Sequence, residues 1–178
     1  MKFTCTTCGD EHDLSEISFG TDSPAQWHLL TDEERAKSEL TEEQCVLETM
    51  DGHHFFIRAR LQVPIKDSKD SFTWGVWCSL SEKSFIEMSD HWDDPDRIKK
   101  GPYFGWLCTQ IPGYPDTMFL KTRVHQAPVG LRPTVEIEKC DHSLSIDQYQ
   151  GITIDKLKGI ILNLLHDSAQ QGHSRYSQ

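Results

Sequence analysis

His54-Phe55-Phe56-Ile57-Arg58-Ala59-Arg60-Leu61-Gln62-Val63-Pro64 decides the fold of this chain. Phe55, Ile57, Ala59, Leu61 and Val63 fall on one face of an extended segment, and Phe56, Arg58, Arg60 and Gln62 on the other. Period two with one apolar face is the mark of a half-buried strand. Upstream, Asp51-Gly52 reads as a hairpin turn joining it to a strand at 46–50. Downstream, the polar stretch 66–70 turns the chain into Phe72-Thr-Trp-Gly-Val-Trp-Cys-Ser-Leu80, a third strand. The three predict an antiparallel meander. Trp74 and Trp77 lie three apart on it and so point to opposite faces.

The pattern continues outward from this centre. Ser81 caps a helix over 81–92, whose apolar residues recur every three or four positions. Segments 103–109 and 117–124 read as strands joined across Pro112-Gly113-Tyr114-Pro115, and 132–137 as a sixth, with Pro133 at its start. A short helical turn at 145–150 stops at Gly151. The helix that follows carries Ile154, Leu157, Ile161, Leu164 and Leu165 on one stripe, with Thr153 as its cap, and a polar tail frays after Gln170. Toward the N-terminus, Ser23 and Pro24 open a short helix that puts Trp27 and Leu30 on one face. Thr31 and Glu34 have the spacing of a capping box for a polar helix at about 32–39.

The first residues follow a different logic. Cys5-Thr-Thr-Cys8-Gly9-Asp-Glu-His12 places two thiols and an imidazole within eight residues. A C-x-x-C-G turn aims both sulfurs at one point, the spacing of a structural zinc knuckle. Cys45, at the start of the first strand of the body, is the expected fourth ligand, with His53 and His54 as the alternatives. A site closed by four protein ligands has no position for water, so the zinc is structural. The fold expected is therefore α+β: an antiparallel β-sheet packed by helices, with an N-terminal zinc knuckle. The chain reads as a single domain over 1–178, with the knuckle and an acidic helical segment in 1–45, a β-rich body in 46–140 and a C-terminal helix and tail in 141–178. Cys78, Cys108 and Cys140 read as small buried hydrophobes.

The net charge is −10 over 178 residues, and residues 1–50 account for −9 of it, with twelve acidic residues against three basic ones. Nucleic-acid binding needs a basic footprint, so the knuckle is not expected to be a nucleic-acid finger. An acidic surface suits a basic protein partner. No apolar run is long enough to cross a membrane and no leader is visible, which points to a cytoplasmic protein. The motifs of the common hydrolases, kinases, metalloproteases and dinucleotide enzymes are absent.

The chain resembles domain-of-unknown-function family 2199, a bacterial family. The resemblance rests on Cys5-x-x-Cys8-Gly9-x-x-His12, Cys45, Phe56-Ile57-Arg58 and Trp74-Gly-Val-Trp77-Cys-Ser-Leu-Ser81. Tyr103-Phe-Gly-Trp-Leu107, Tyr114-Pro115, Leu120-Lys121, Arg132-Pro133 and Gln148-x-x-Gly151-Ile152 continue it. It implies a small soluble bacterial protein with a Cys3His metal site, and no known activity.

Three functions follow from these features. The first is a non-enzymatic protein-binding module; by analogy with other small acidic bacterial proteins, one form of it is an immunity protein that neutralises a basic toxin. The second is an anion or small-ligand binder, or an enzyme, using Arg58, Trp77, Lys121 and Arg132 on an arginine-bearing sheet face. The third is a redox sensor at Cys5 and Cys8.

Overall fold

The structure, a computed structural model, describes the backbone of residues 2–4, 11–13 and 19–170 and the side chains of 19–164. The fold is α+β. Two short strands, β1 (Lys2–Thr4) and β2 (Glu11–Asp13), pair antiparallel at the N-terminus. Eight further strands form one sheet: β3 (Phe19–Gly20), β4 (Glu39–Leu40), β5 (Gln44–Thr49), β6 (Gly52–Pro64), β7 (Ser71–Leu80), β8 (Tyr103–Leu107), β9 (Lys121–His125) and β10 (Thr134–Ile137). Four α-helices accompany them: α1 (Asp32–Lys37), α2 (Glu82–Asp90), α3 (Ser143–Gln150) and α4 (Ile154–Gln170).

The meander is present. β5 turns into β6 at Met50-Asp51, with Thr49 opposite Gly52, whose φ of 116° favours glycine. β6 then pairs with β7 from Phe55↔Leu80 to Pro64↔Ser71. The expected antiparallel sheet, however, closes into a barrel of five strands, β6 to β10. Each is antiparallel to the next, and β10 returns to lie parallel to β6 at Thr134↔Arg60 and Val135↔Leu61. The physical reason is parity. An odd number of alternating strands leaves the first and last running the same way, so closure has to be parallel. The thirteen-residue length of β6 allows it, because one edge carries β5 along its first half and β10 along its second.

Alternation along β6 holds on the barrel side, where Ile57, Ala59, Leu61 and Val63 are buried. On the outer side it breaks at Phe56, expected among polar residues and in fact buried. The cause is a second, smaller core outside the barrel: Cys45, Leu47, Phe56, Trp77 and Cys108, with Trp27, Leu30 and Leu40 packed against them. Trp74 belongs to the barrel core and Trp77 to this outer one, as opposite faces of β7 require. The Trp77 indole donates to the backbone oxygen of Thr21 at 2.9 Å, tying the N-terminal segment to the barrel. Where β3 meets β7, Gly20 lies against Gly75, and a Cβ on either would sit 3.3 Å from the other's Cα.

The caps behave as their chemistry dictates. Thr31 and Glu34 form the full capping box of α1, and the Ser81 side chain accepts from the Ser84 amide at the start of α2. The segment after Pro24 is a 3-10 helix, Ala25–Leu29, and Ser23 does not cap it; its hydroxyl meets His28 Nε2 at 3.1 Å instead. Of the three cysteines expected in the core, Cys78 and Cys108 are buried and Cys140 is exposed. Leu157 and Ile161 of α4 enter the barrel core, and α3 lies against β6 and β10. The tail beyond Gln170 lies outside the described residues.

Between α2 and β8, Asp94 caps a 3-10 turn, Pro95–Lys99. Arg97 within it is 1% exposed. Its guanidinium donates to four backbone oxygens, those of Trp92, Ala127, Pro128 and Leu131, and lies 5.0 Å from the centre of the Trp92 ring.

Several acidic protons are held in this fold beyond their usual pH. Burial pushes the Cys78 thiol up from its ordinary value of 9.0. Burial, and then the hydrogen bond it donates to Asp147 at 2.8 Å, do the same for the Tyr114 hydroxyl. Tyr149, raised by burial and by donating to Glu136, reaches about 12 from an ordinary 10.0. Above about pH 9 the unfolded chain releases protons that the folded chain retains, so stability falls as pH rises. Denaturation midpoints taken in steps from pH 8 to 11 should decline through that window; a flat profile would contradict the burial of these groups.

Candidate functional site

The outer core has an open side. A groove of about 710 Å³ crosses the outside of β5, β6, β7 and β8. It is lined by Leu29 and Leu30 at the end of the 3-10 segment and by Asp51, His53 and His54 at the start of the β5–β6 hairpin. Trp106 and Phe119 also line it. Leu29 is 83% exposed, Phe119 60% and Phe104, beside Trp106, 54%. Scattered exposed apolar side chains are ordinary; Leu29 and Phe119 line one groove together.

Phe119 is held outward by its backbone. Its φ of 60° is the left-handed region that a bulky residue rarely occupies. The conformation is fixed from both sides: its amide donates to Leu107 O at 2.7 Å, and the turn before it is pinned by Thr117, whose hydroxyl donates to Thr109 O at 2.8 Å. Periodicity placed residues 117–124 in a strand, but the strand begins at Lys121, and the turn ahead of it presents Phe119 instead. Phe104 and Trp106 alternate with buried neighbours along β8, so both point outward, their rings 5.3 Å apart edge to face. Across the ladder Phe104 faces Arg123 and Trp106 faces Lys121, both exposed on β9.

The four residues of the expected arginine-bearing face do not form one site. Arg58 and Arg132 are neighbours, but both have partners. Arg132 grips the Glu43 carboxylate with Nε at 2.8 Å and Nη2 at 2.6 Å, which raises its pKa. Arg58 donates to Glu42 O at 3.3 Å and stands 6.0 Å from the Trp77 ring; burial, and then Arg132, draw its pKa down. Trp77 itself is fully buried. Lys121 lies on β9, separated from β6 by β10.

For the expected metal ligands the structure describes two positions. The β1–β2 ladder pairs Phe3 with His12 and Thr4 with Glu11, bracketing residues 5–10. Cys5 and Cys8 lie outside the described residues. Cys45 is buried in the outer core, where burial pushes its thiol up to about 12. His53 and His54 are exposed at the hairpin. Among the described residues no three His, Cys, Asp or Glu side chains cluster closely enough to hold a metal.

Residues 4–152 match the family described as an uncharacterized protein conserved in bacteria, domain of unknown function 2199. The chain belongs to this family. The match to family 2199 begins one residue before Cys5 and ends at Ile152, which bridges to Ile65 beneath the barrel. It therefore takes in the cysteine-bearing start, the groove and the whole barrel through α3, and leaves α4 outside. No curated protein and no solved structure matches the chain. No helix among the described residues is long and apolar enough to cross a membrane.

Proposed function

We propose that this member of family 2199 is a non-enzymatic protein-binding module whose N-terminus is stapled by a structural zinc ion. One observation carries the binding half of the reading: the groove on the outer core, edged by Leu29, Trp106 and Phe119. A groove of this size, lined by apolar and polar side chains alike, suits a segment of another protein, and a basic bacterial toxin is one partner of that kind. To test it, the chain is used to capture partners from lysate of its own source, alongside a Phe119→Asn variant. Asparagine tolerates the left-handed backbone at that position, so the ring is lost while the fold is kept. A specific partner retained by the parent and lost by the variant supports the reading. A partner held equally by both removes the groove from it.

The zinc half rests on donor chemistry. Cys5, Cys8, His12 and Cys45 supply three thiolates and an imidazole, a set suited to tetrahedral zinc. Cys45 shares the outer core with Trp77, whose indole reaches Thr21, so its thiol is on the side of the barrel that the N-terminal segment crosses. Nine Cα-to-Cα steps lead from His12 to Thr21, enough chain to span roughly 30 Å. Metal analysis of purified protein should give one zinc per chain, lost in Cys5→Ala and in Cys45→Ala. Full occupancy in Cys45→Ala would pass the fourth position to His53 or His54. No zinc in the parent chain would end the staple.

A further inference from the structure

The barrel interior is apolar along three strands and partly polar along the other two. The inward residues of β6, β7 and β10 belong to the apolar core. On β9 the inward row runs Thr122, Val124 and, just past the strand, Gln126, which is 9% exposed. Beside it on β8, Tyr103 lies opposite Val124 and is 7% exposed. Both polar atoms of the Gln126 amide and the Tyr103 hydroxyl are buried without a hydrogen-bond partner among the described residues. Buried amides and hydroxyls are nearly always paired, because leaving them unpaired costs stability. The two side chains reach the same level of the barrel. Carrying the β8–β9 register two residues past Tyr103↔Val124 sets Gln126 opposite Gly101, and the Tyr103 ring leans on Gly101, where a Cβ would lie 3.0 Å from it. This end is covered by α2, whose Phe85 and Met88 join the core, and by the 3-10 turn, whose Arg97 donates to the oxygen of Ala127, next to Gln126. Glu87 of α2 stands near Tyr103, adding to burial in raising its hydroxyl pKa, without completing a hydrogen bond.

We propose that the α2 end of the barrel binds a small neutral molecule bearing a carboxamide edge, a C=O beside an N–H, which pairs with the Gln126 amide and shares a hydrogen bond with the Tyr103 hydroxyl. The glutamine side chain offers an acceptor and a donor side by side, and the complement of that pair is another amide edge. A charged ligand does not fit. None of the inward side chains of the five strands is charged, so a buried ion finds no counter-charge, and Glu87 repels an anion. Both groups are closed from solvent, so entry needs α2 to move. The Glu87–Lys100 pair at 3.7 Å is a tie that must part, while Arg97 keeps the turn behind the helix in place. The groove lies on the outside of these strands, so this site stands independently of the partner-binding reading.

NMR titration of the isotope-labelled full chain tests the inference, with acetamide as the probe and acetate, of the same shape but charged, as its control. Acetamide should shift the Gln126 side-chain amide and the Ala127 backbone amide saturably, and acetate should not. Tyr103→Phe should weaken acetamide binding about fivefold, the loss of one neutral hydrogen bond. Gln126→Leu should abolish binding and melt higher than the parent, since an unpaired amide leaves the interior. Absence of a saturable shift with acetamide overturns the site, as does an equal response to acetate or binding that survives Gln126→Leu. If acetamide fails and Gln126→Leu also melts lower, an ordered water completes the amide and the barrel end is structural only.

Discussion

Replacing Arg97 with leucine should lower the stability of this protein by roughly 3–5 kcal/mol, the largest loss expected from a single change outside the barrel core. The side chain is 1% exposed, and its donors satisfy oxygens from two separate loops: Trp92 on one side, Ala127, Pro128 and Leu131 on the other. Leucine fills part of the space and leaves the oxygens of Trp92, Ala127 and Leu131 without this donor, while Pro128 O keeps the Leu131 amide at 3.0 Å. Each buried, unpaired carbonyl costs about 1–3 kcal/mol, offset in part by relaxation and water. Lysine should not rescue. A single ammonium cannot present the flat, multiply pronged donor set that four separate oxygens require, and it cannot lie along the Trp92 ring as a guanidinium does. Urea titrations of the parent, Arg97→Leu and Arg97→Lys chains would decide the matter. Near-parental stability in the lysine variant would mean that charge alone, not the fork, holds the two loops.

Trp77→Ala should follow closely, at about 3–5 kcal/mol, by a different route. Trp77 is fully buried in the outer core, where truncation opens a void among Cys45, Phe56 and Cys108 that the flanking strands cannot collapse to fill. It also removes the hydrogen bond to Thr21 O, one of the ties that hold the segment carrying β3, beside the β3–β7 pairing and the packing of Phe19 on Phe72 and Trp74. Trp77→Phe separates the two effects. It keeps most of the packing and loses the indole donor, and should cost roughly 1–2 kcal/mol. The loss should appear first near residues 19–23: amide exchange there should quicken in Trp77→Phe while exchange across the β6–β7 ladder stays near its parental rate. Uniform quickening across both would show that the outer core and the barrel unfold as one unit.

What could be read before the structure was known follows a physical line. Strand β6, the capping box at Thr31 and Glu34, and the stripe of α4 are local: each is encoded by residues within a few positions of one another. Phe56 was misplaced because its burial depends on Trp27 and Leu30, brought in from a remote segment. Barrel closure was missed because alternation along a strand reports which face is covered, not which edge finds a partner. Arg97 sits in an acidic stretch without periodicity, so nothing nearby announces that three of its four partners lie thirty or more residues downstream. Phe119 was hidden for the opposite reason. The apolar pattern of 117–124 continues through it, and only the backbone turn shows that the ring leaves the sheet. For the candidate metal site, Cys45 is placed while Cys5 and Cys8 lie outside the described residues, so the knuckle still rests on spacing.

The parallel seam between β6 and β10 also bears on how the chain reaches this state. Arg60 Nε meets Arg132 O at 3.3 Å across a separation of 72 residues. The β6–β7 hairpin needs only a short turn and can form early, whereas the seam must wait for three more strands, α2 and the 3-10 turn. During that wait the second half of β6 presents an unpaired edge of apolar and arginine residues, open to the equivalent edge of another copy. Refolding yield should therefore fall as protein concentration rises, with added β10 peptide (residues 132–138) improving it by occupying the edge until the chain's own last strand arrives.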